Sequence, residues 1–475
     1  MSAADPLRSG QQASPGSAPW QLTAGELSTA YFTGQLDPET ALDAIASRFE
    51  IVQGTLNPIA TYDLDGARRA AAESARRWRT GRPCSALDGV VMTIKDNIPV
   101  AGLPCRWGSR LYASHVPAQD ELAVARLRAA GVVILGKTNV PEFTLQGYTD
   151  NLLQGATGNP WNPSLTPGGS SGGAVASVAA GLGPIALGTD GGGSIRRPAG
   201  FTGLCGLKPS WGRVARRHAL PDILPELEVV GPIARSIGDL AKVMGIIADG
   251  PNWEWDAVEQ RPPRLRICVW RDIDGSPVEP AILHSLDAAC AAFASMGHHL
   301  TTRPAPREVG RFNRESWPVL SSTGLAALIG DDPARRDLLG PALQALLQQG
   351  LKRSAVEHFS ARRQVTELRA TLAALFADFD LILTPSSAAQ PWPKTLPHPE
   401  TIAGKDVDGR GHAVFTAFAN AAGLPALAVP AEPDAQGMPI GLQLVGPAGC
   451  DARLLALGHE YEKHCPWRHR RPELH

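Results

Sequence analysis

Apolar residues recur at helical spacing over 38–52 (PETALDAIASRFEIV) and 64–79 (LDGARRAAAESARRWR), which predicts two amphipathic helices. GVVMTIKDNI at 89–98 is rich in β-branched residues and reads as a strand. Residues 119–130 predict a helix ending at Gly131, and VVIL at 132–135 a short buried strand. A Pro/Gly/Asn-rich loop at 155–171 leads into a small-residue helix at 172–180, followed by strands at 184–188 (PIALG) and 203–208 (GLCGLK). Beyond these, helices are expected at 236–248, 280–297 and 354–379, and strands at 264–270 (RLRICVW) and 381–385 (LILTP). The end repeats the pattern, with a helix at 411–422, strands at 426–430 and 439–446, and a helix at 451–465. Strands alternating with helices predict an α/β fold: one large domain whose central mixed β-sheet is covered by helices on both faces. Residues 1–18 read as a disordered leader ahead of a domain at 19–475. Within it, 87–212 holds the densest chemistry, about 300–380 reads as a helical elaboration, and 249–263 (DGPNWEWDAVEQRPP) is the best linker candidate.

Two uncharged stretches, 168–189 and 413–431, need separating from membrane spans. The first holds seven glycines and a proline, and the second is broken by Gly423-Leu424-Pro425. A spanning helix needs about 20 mostly apolar residues without such breakers, so both read as buried helix–turn–strand units. The N-terminal MSAADPLRSGQQASPGSAPW has no apolar segment of the secretory kind. Seven cysteines, an odd number with no C-x-x-C pair, form neither a disulfide framework nor a zinc site and point to the cytoplasm. Lys plus Arg is 45 against 46 for Asp plus Glu, so no basic excess favours nucleic acid as a partner. At 475 residues the chain buries roughly three quarters of its unfolded surface, and needs no staple to do so.

Three features concentrate in 87–212. Lys95 ends an apolar strand, in a chain with eight lysines against 37 arginines. Burial there would disfavour its ammonium form and turn it into a base. On position alone, a packed stem with its head in water is the more ordinary reading. Ser170 and Ser171 lie in PGGSSGG at 167–173, opening a helix. Ser194 follows three glycines in GTDGGGSIRRPAG at 188–200, a segment able to aim several N–H groups at one oxyanion, or simply to turn. G-x-S-x-G is satisfied at both Ser170 and Ser171, but the preceding NPWNPSLTP cannot be the strand that a nucleophile elbow needs. Gly131-VVIL-Gly136-Lys137-Thr138 fits a phosphate-loop pattern, yet its four variable residues are themselves a strand. His459 and His464 are five residues apart, about 140° apart around a helix, which disfavours zinc. The one histidine of the dense region, His115, sits in a polar loop and reads as structural.

Together these residues resemble the amidase signature family. GVVMTIKDNIPVAGLPCRWGS, ILGKTNVPEF, GNPWNPSLTPGGSSGG, GTDGGGSIRRPAG, GLCGLKPSWGRV and the tail FTAFANAAGLPALAVP…GMPIGLQLVGP follow that family in order over most of the chain. The resemblance implies a Ser-cisSer-Lys triad, with Ser194 as nucleophile, Ser170 as the bridging serine joined to Gly169 by a cis peptide, and Lys95 as base. It implies an oxyanion hole from the N–H groups of Gly191, Gly192, Gly193 and Ser194. Ser171 would hydrogen-bond Lys95, and Asp190 and Arg196 would brace the loop. No metal or organic cofactor is called for.

Departures are few: Gly191 stands where the family often carries a side chain, and Val91 where proline is common. Glutamine-dependent amidotransferase members of the family have Asp three residues before the Thr of FTxxxN, where this chain has Ala413.

The expected activity is therefore that of an amidase cleaving a linear carboxylic amide, or an ester, through an acyl-enzyme. The alternative is the ammonia-supplying component of a glutamine-dependent, tRNA-dependent amidotransferase complex, against which Ala413 counts; an idle scaffold would have no use for the intact Lys95, Ser170 and Ser194. The implied partner is a small-molecule amide, with no nucleic acid and no membrane, and a homodimer is left open. The pocket is expected to be walled by 139–154 and parts of 310–450. ESWPVLSSTGLAA at 315–327 fits an apolar or aryl substrate and a helix core equally.

Overall fold

The computed structural model describes residues 17–250, 258, 260 and 262–474. All of the expected leader but residues 17 and 18, and most of the linker candidate at 249–263, lie outside the described residues.

In chain order the strands are Ile59–Tyr62 (β1), Val91–Lys95 (β2), Val133–Thr138 (β3), Ile185–Asp190 (β4), Cys205–Lys208 (β5), Val229–Ala234 (β6), Arg266–Val269 (β7), His299–Thr302 (β8), Leu381–Pro385 (β9), Thr401–Ile402 (β10), Lys405–Asp406 (β11), Ala426–Pro430 (β12) and Gly441–Val445 (β13). β10 and β11 form a separate ribbon; the other eleven make one sheet in the order β1-β3-β2-β4-β6-β5-β12-β13-β9-β7-β8. The sheet is mixed. β2 runs parallel to β3 and β4, and β7 to β8 and β9, while the middle strands pair antiparallel. Both faces are covered. Ile185 and Leu187 of β4 pack into one core cluster, and Ala186 between them packs with Val175, Val178 and Ile195 in another.

Several elements differ from the sequence reading. The helix expected over 38–52 is two, Pro38–Ala46 and Phe49–Leu56; at the break Arg48 stacks on Trp20 and donates its Nε to the Ala180 carbonyl. The helix expected at 411–422 shrinks to Ala417–Ala421 after a 3-10 turn at Gly411–Ala413. β6 lies in mid-sheet although Gly231-Pro232 reads as a breaker. Residues 300–380 hold the helices Arg307–Arg311, Trp317–Ile329, Pro333–Arg336, Pro341–Leu351 and Ala355–Asp378, with a π turn at Phe312–Ser316.

One pairing fixes the site. β2 and β4 are adjacent and parallel, with Thr93 opposite Ala186 and Ile94 opposite Leu187. Their carboxyl ends therefore set Lys95 beside Thr189 and Asp190, at the edge where ligands bind in sheets of this kind.

Candidate active site

Lys95 is fully buried at the end of β2, whose five residues are all buried. Its Nζ lies 2.8 Å from Ser170 Oγ, 2.9 Å from Thr189 Oγ1 and 3.0 Å from the Thr189 carbonyl. Among the described residues no carboxylate hydrogen-bonds it. Burial pulls its pKa down to about 7, against the partial pull of Glu228 and Asp190. Nζ donates in all three contacts, and once neutral it would turn a lone pair toward Ser170.

Ser170 follows Gly169 through a cis peptide and stands one residue before Ser171, the N-cap of the helix Gly172–Ala180. The Ser171 N–H donates to the Ser194 carbonyl at 3.1 Å, fastening the serine turn to the glycine loop. Among the described residues no hydrogen bond joins the hydroxyls of Ser170 and Ser194. The Ser171 hydroxyl does not reach Lys95 either. It donates at 3.3 Å to the Thr189 carbonyl that also accepts from Lys95, so the direct bond expected between them is replaced by a shared acceptor.

The loop 190–194 is held from below by ions and amides. Asp190 and Arg196 are both fully buried and meet twice, Nη2 to Oδ1 at 2.9 Å and Nε to Oδ2 at 3.0 Å. Despite burial, the guanidinium and the Asn420 amide hold the Asp190 carboxyl far below the usual carboxylate range. Its Oδ1 also accepts the Gly193 N–H at 2.6 Å and its Oδ2 the Ile195 N–H at 3.1 Å. Gly193 has φ +113, and a Cβ there would lie 2.2 Å from Thr416 Oγ1, so the position requires glycine.

The tail motif FTAFAN closes this cradle. Thr416 donates to the Gly192 carbonyl at 2.7 Å, and Arg197 donates to the same carbonyl and to Thr416. Asn420 donates to the Asp190 carbonyl at 2.7 Å and accepts from Arg196, which also reaches Gln443 at 2.8 Å. Sequence reasoning assigned no role to Thr189, Arg197, Thr416, Asn420 or Gln443. The i, i+4 spacing of Thr416 and Asn420 was the available signal.

A narrow cavity opens over the loop. Gly191, Gly192 and Ser194 line it, with Thr144, Leu145, Gln146, Arg197, Leu224, Glu228, Trp317 and Arg410. Gly193 does not, its N–H being taken by Asp190. Leu224 and Glu228 fall outside the expected wall segments. Of the apolar residues at 315–327, Trp317 faces the cavity, whereas Leu320 and Leu325 join the core.

The remaining sequence signals lie elsewhere. Lys137 is buried in β3, 3.3 Å from Asp96. His459 and His464 share the helix Asp451–His464, where His464 Nε2 meets Ser295 Oγ at 3.0 Å. Among the described residues no helix is long and apolar enough to cross a membrane.

The pattern of the family described as Amidase matches residues 40–455. A component of the glutamyl-tRNA(Gln) amidotransferase from Roseiflexus sp. (strain RS-1) is 32% identical over 488 residues, covering 96% of this chain and 98% of that one. A protein named putative amidase AmiB2, from Mycobacterium bovis, is 35% identical over 464 residues, covering 93% and 96%. Among solved structures, a bacterial aryl acylamidase of the amidase signature enzymes superposes with a TM-score of 0.87 at 26% identity, over 94% of this chain and 97% of that chain.

Proposed function

The chain belongs to the amidase signature family of hydrolases acting on carbon–nitrogen bonds, and from that premise we propose that it cleaves a carboxylic amide, or an ester, through an acyl-enzyme on Ser194. The observation that carries this reading is the buried Lys95 amine, 2.8 Å from Ser170 Oγ, with no carboxylate among the described residues bonded to keep it charged.

Neutral Lys95 takes the proton of Ser170 as Ser170 takes that of Ser194. The relay requires the Ser194 hydroxyl to come within hydrogen-bond reach of Ser170 when substrate is bound. The Ser194 oxygen then bonds to the amide carbon. The N–H groups of Gly191, Gly192 and Ser194 receive the developing oxyanion, while Gly193 uses its own N–H to hold the loop on Asp190. Loss of one such donor costs about 3–4 kcal/mol of barrier. The relay reversed protonates the leaving nitrogen, the C–N bond breaks, and water admitted by the same base releases the acid. This chemistry uses only these side chains and water. Ser171, Asp190 and Arg196 act as supports of the loop.

The test is turnover by the purified chain of a panel of aryl, alkyl and amino-acid amides, with mass spectrometry of the trapped acyl-enzyme. An acyl adduct on Ser194, absent in Ser194→Ala, is the expected result; turnover without it overturns the assignment. A second reading, a component supplying ammonia from glutamine, is favoured by the 32% identity to the Roseiflexus amidotransferase protein. Ala413, where that reading calls for Asp, favours the free-standing hydrolase. Glutaminase activity that appears only with partner chains would reverse the choice. The seven free cysteines fit a cytoplasmic enzyme.

A further inference from the structure

Resting on that reading, we propose that Arg410 is an anion receptor in the cavity, and that the substrate is a compact amide bearing a carboxylate a few bonds from the scissile carbonyl.

Arg410 precedes the turn Gly411–Ala413 and lines the cavity with Ser194. Its Cζ lies 4.3 Å over the ring of Trp317. That indole is pressed against the glycine loop: a Cβ on Gly192 would lie 2.4 Å from it. The guanidinium is therefore one indole away from the proposed oxyanion hole. Its Nε and Nη2 are sealed from solvent, yet neither has a hydrogen-bond partner among the described residues. Buried cationic donors are ordinarily paired.

The surrounding groups do not supply the missing charge. Arg197 serves the Gly192 carbonyl and Thr416. Glu228, the carboxylate of the cavity wall, meets Arg216 at 2.7 Å, and Arg216 also meets Glu121 at 2.7 Å. Asp408 is exposed, and its carboxylate accepts the Arg410 backbone N–H at 2.8 Å rather than the guanidinium. His412 is buried nearby, and burial, with the charges of Arg197 and Arg410, keeps it neutral. The cavity thus carries a cation with two donors unpartnered among the described residues, offset only by the through-space pull of the exposed Asp408. Burial pulls Arg410 down to about 10, a strain on the cation that an incoming anion relieves. The Nε–Nη2 edge presents two parallel N–H groups that match the two oxygens of a carboxylate.

The experiment compares the monoamide of a short dicarboxylic acid with its methyl ester, both cleaved at the same amide, on wild type, Arg410→Met and Arg410→Lys. Wild type is expected to favour the carboxylate member in kcat/KM by about tenfold or more, chiefly through KM, and added salt narrows that margin. In Arg410→Met the ratio falls to about one, and Arg410→Lys restores part of it. Equal or better use of the neutral member by wild type, or a ratio unchanged in Arg410→Met, overturns the proposal. Because Arg410→Met could fold poorly, a second readout uses the free dicarboxylate. It should raise the Tm of wild type more than that of Arg410→Lys, and no rise in wild type counts against the receptor. If no amide of any kind is cleaved and no acyl-enzyme forms, the amidase reading fails instead, and the melting shift still decides the fate of Arg410.

Discussion

Lys95 is the residue on which the proposed chemistry turns, because it is buried without an anion bonded to it among the described residues. Its pKa of about 7 sets the pH profile. Below that value the amine is mostly protonated and cannot accept the Ser170 proton. The acid limb of kcat/KM should therefore climb about tenfold per pH unit and level off above pH 7; a rate flat from pH 5 to 8 would contradict the base role. Arginine keeps the charge and has no lone pair to offer, so Lys95→Arg should be as inactive as Lys95→Ala in an amide-release assay. Ser194→Ala should lower turnover by on the order of 10⁴-fold or more. At this scale the sequence was informative wherever a residue's neighbours in the chain signalled its setting. Lys95 ends a Val/Ile strand and Ser194 follows three glycines. Thr189, Arg197 and Arg410 left no such trace. What they do depends on groups brought in by pairing across β2 and β4, or from far along the chain.

Among the elements, the short helix Ala417–Ala421 does work out of proportion to its length. Through Thr416 before it and Asn420 within it, the tail holds the start and the middle of the 190–194 loop. Replacing Asn420 by Ala removes one hydrogen bond each from a buried carboxylate, a backbone carbonyl and a guanidinium, each loss worth roughly 0.5–1.5 kcal/mol or somewhat more for the charged groups. The expected outcome is a kcat lowered by about tenfold or more with KM nearly unchanged, together with a lower Tm. Gly193→Ala places a methyl group against Thr416 and Arg197 in a backbone region alanine avoids. By displacing the neighbouring Gly192 and Ser194 N–H groups it should cost about 100-fold in kcat or more. Elements with clean periodicity were legible: 64–79, 172–180 and 426–430 coincide with their predicted spans. β6 was hidden by Gly231-Pro232, and the short β1 and β8 were not read as strands.

For the molecule as a whole, the buried lysines tie stability to pH. Lys95 and Lys208 are both held near 7 by burial, whereas an unfolded chain keeps them protonated to about 10.4. Between those values the unfolded state binds more protons, so stability should rise from pH 7 to 8. Buried cysteines such as Cys105, pushed up to about 11, work the other way above pH 9. Urea midpoints across pH 6.5–8 would check the rise, and Lys208→Met should flatten it. Alternation of strands and helices announced an α/β sheet, but not its order. Strand order follows from which edges meet, and that leaves little mark on local sequence. One consequence of the order concerns synthesis. Strands β12 and β13 are among the last made, yet β12 sits mid-sheet against β5, and Gln443 of β13 grips Arg196 across 247 positions. A nascent chain that has already emerged past Ser194 owns every reactive side chain and lacks the clasp that aims them. On the proposed mechanism, a chain truncated before β12 is expected to release no acid from an amide that the full chain cleaves.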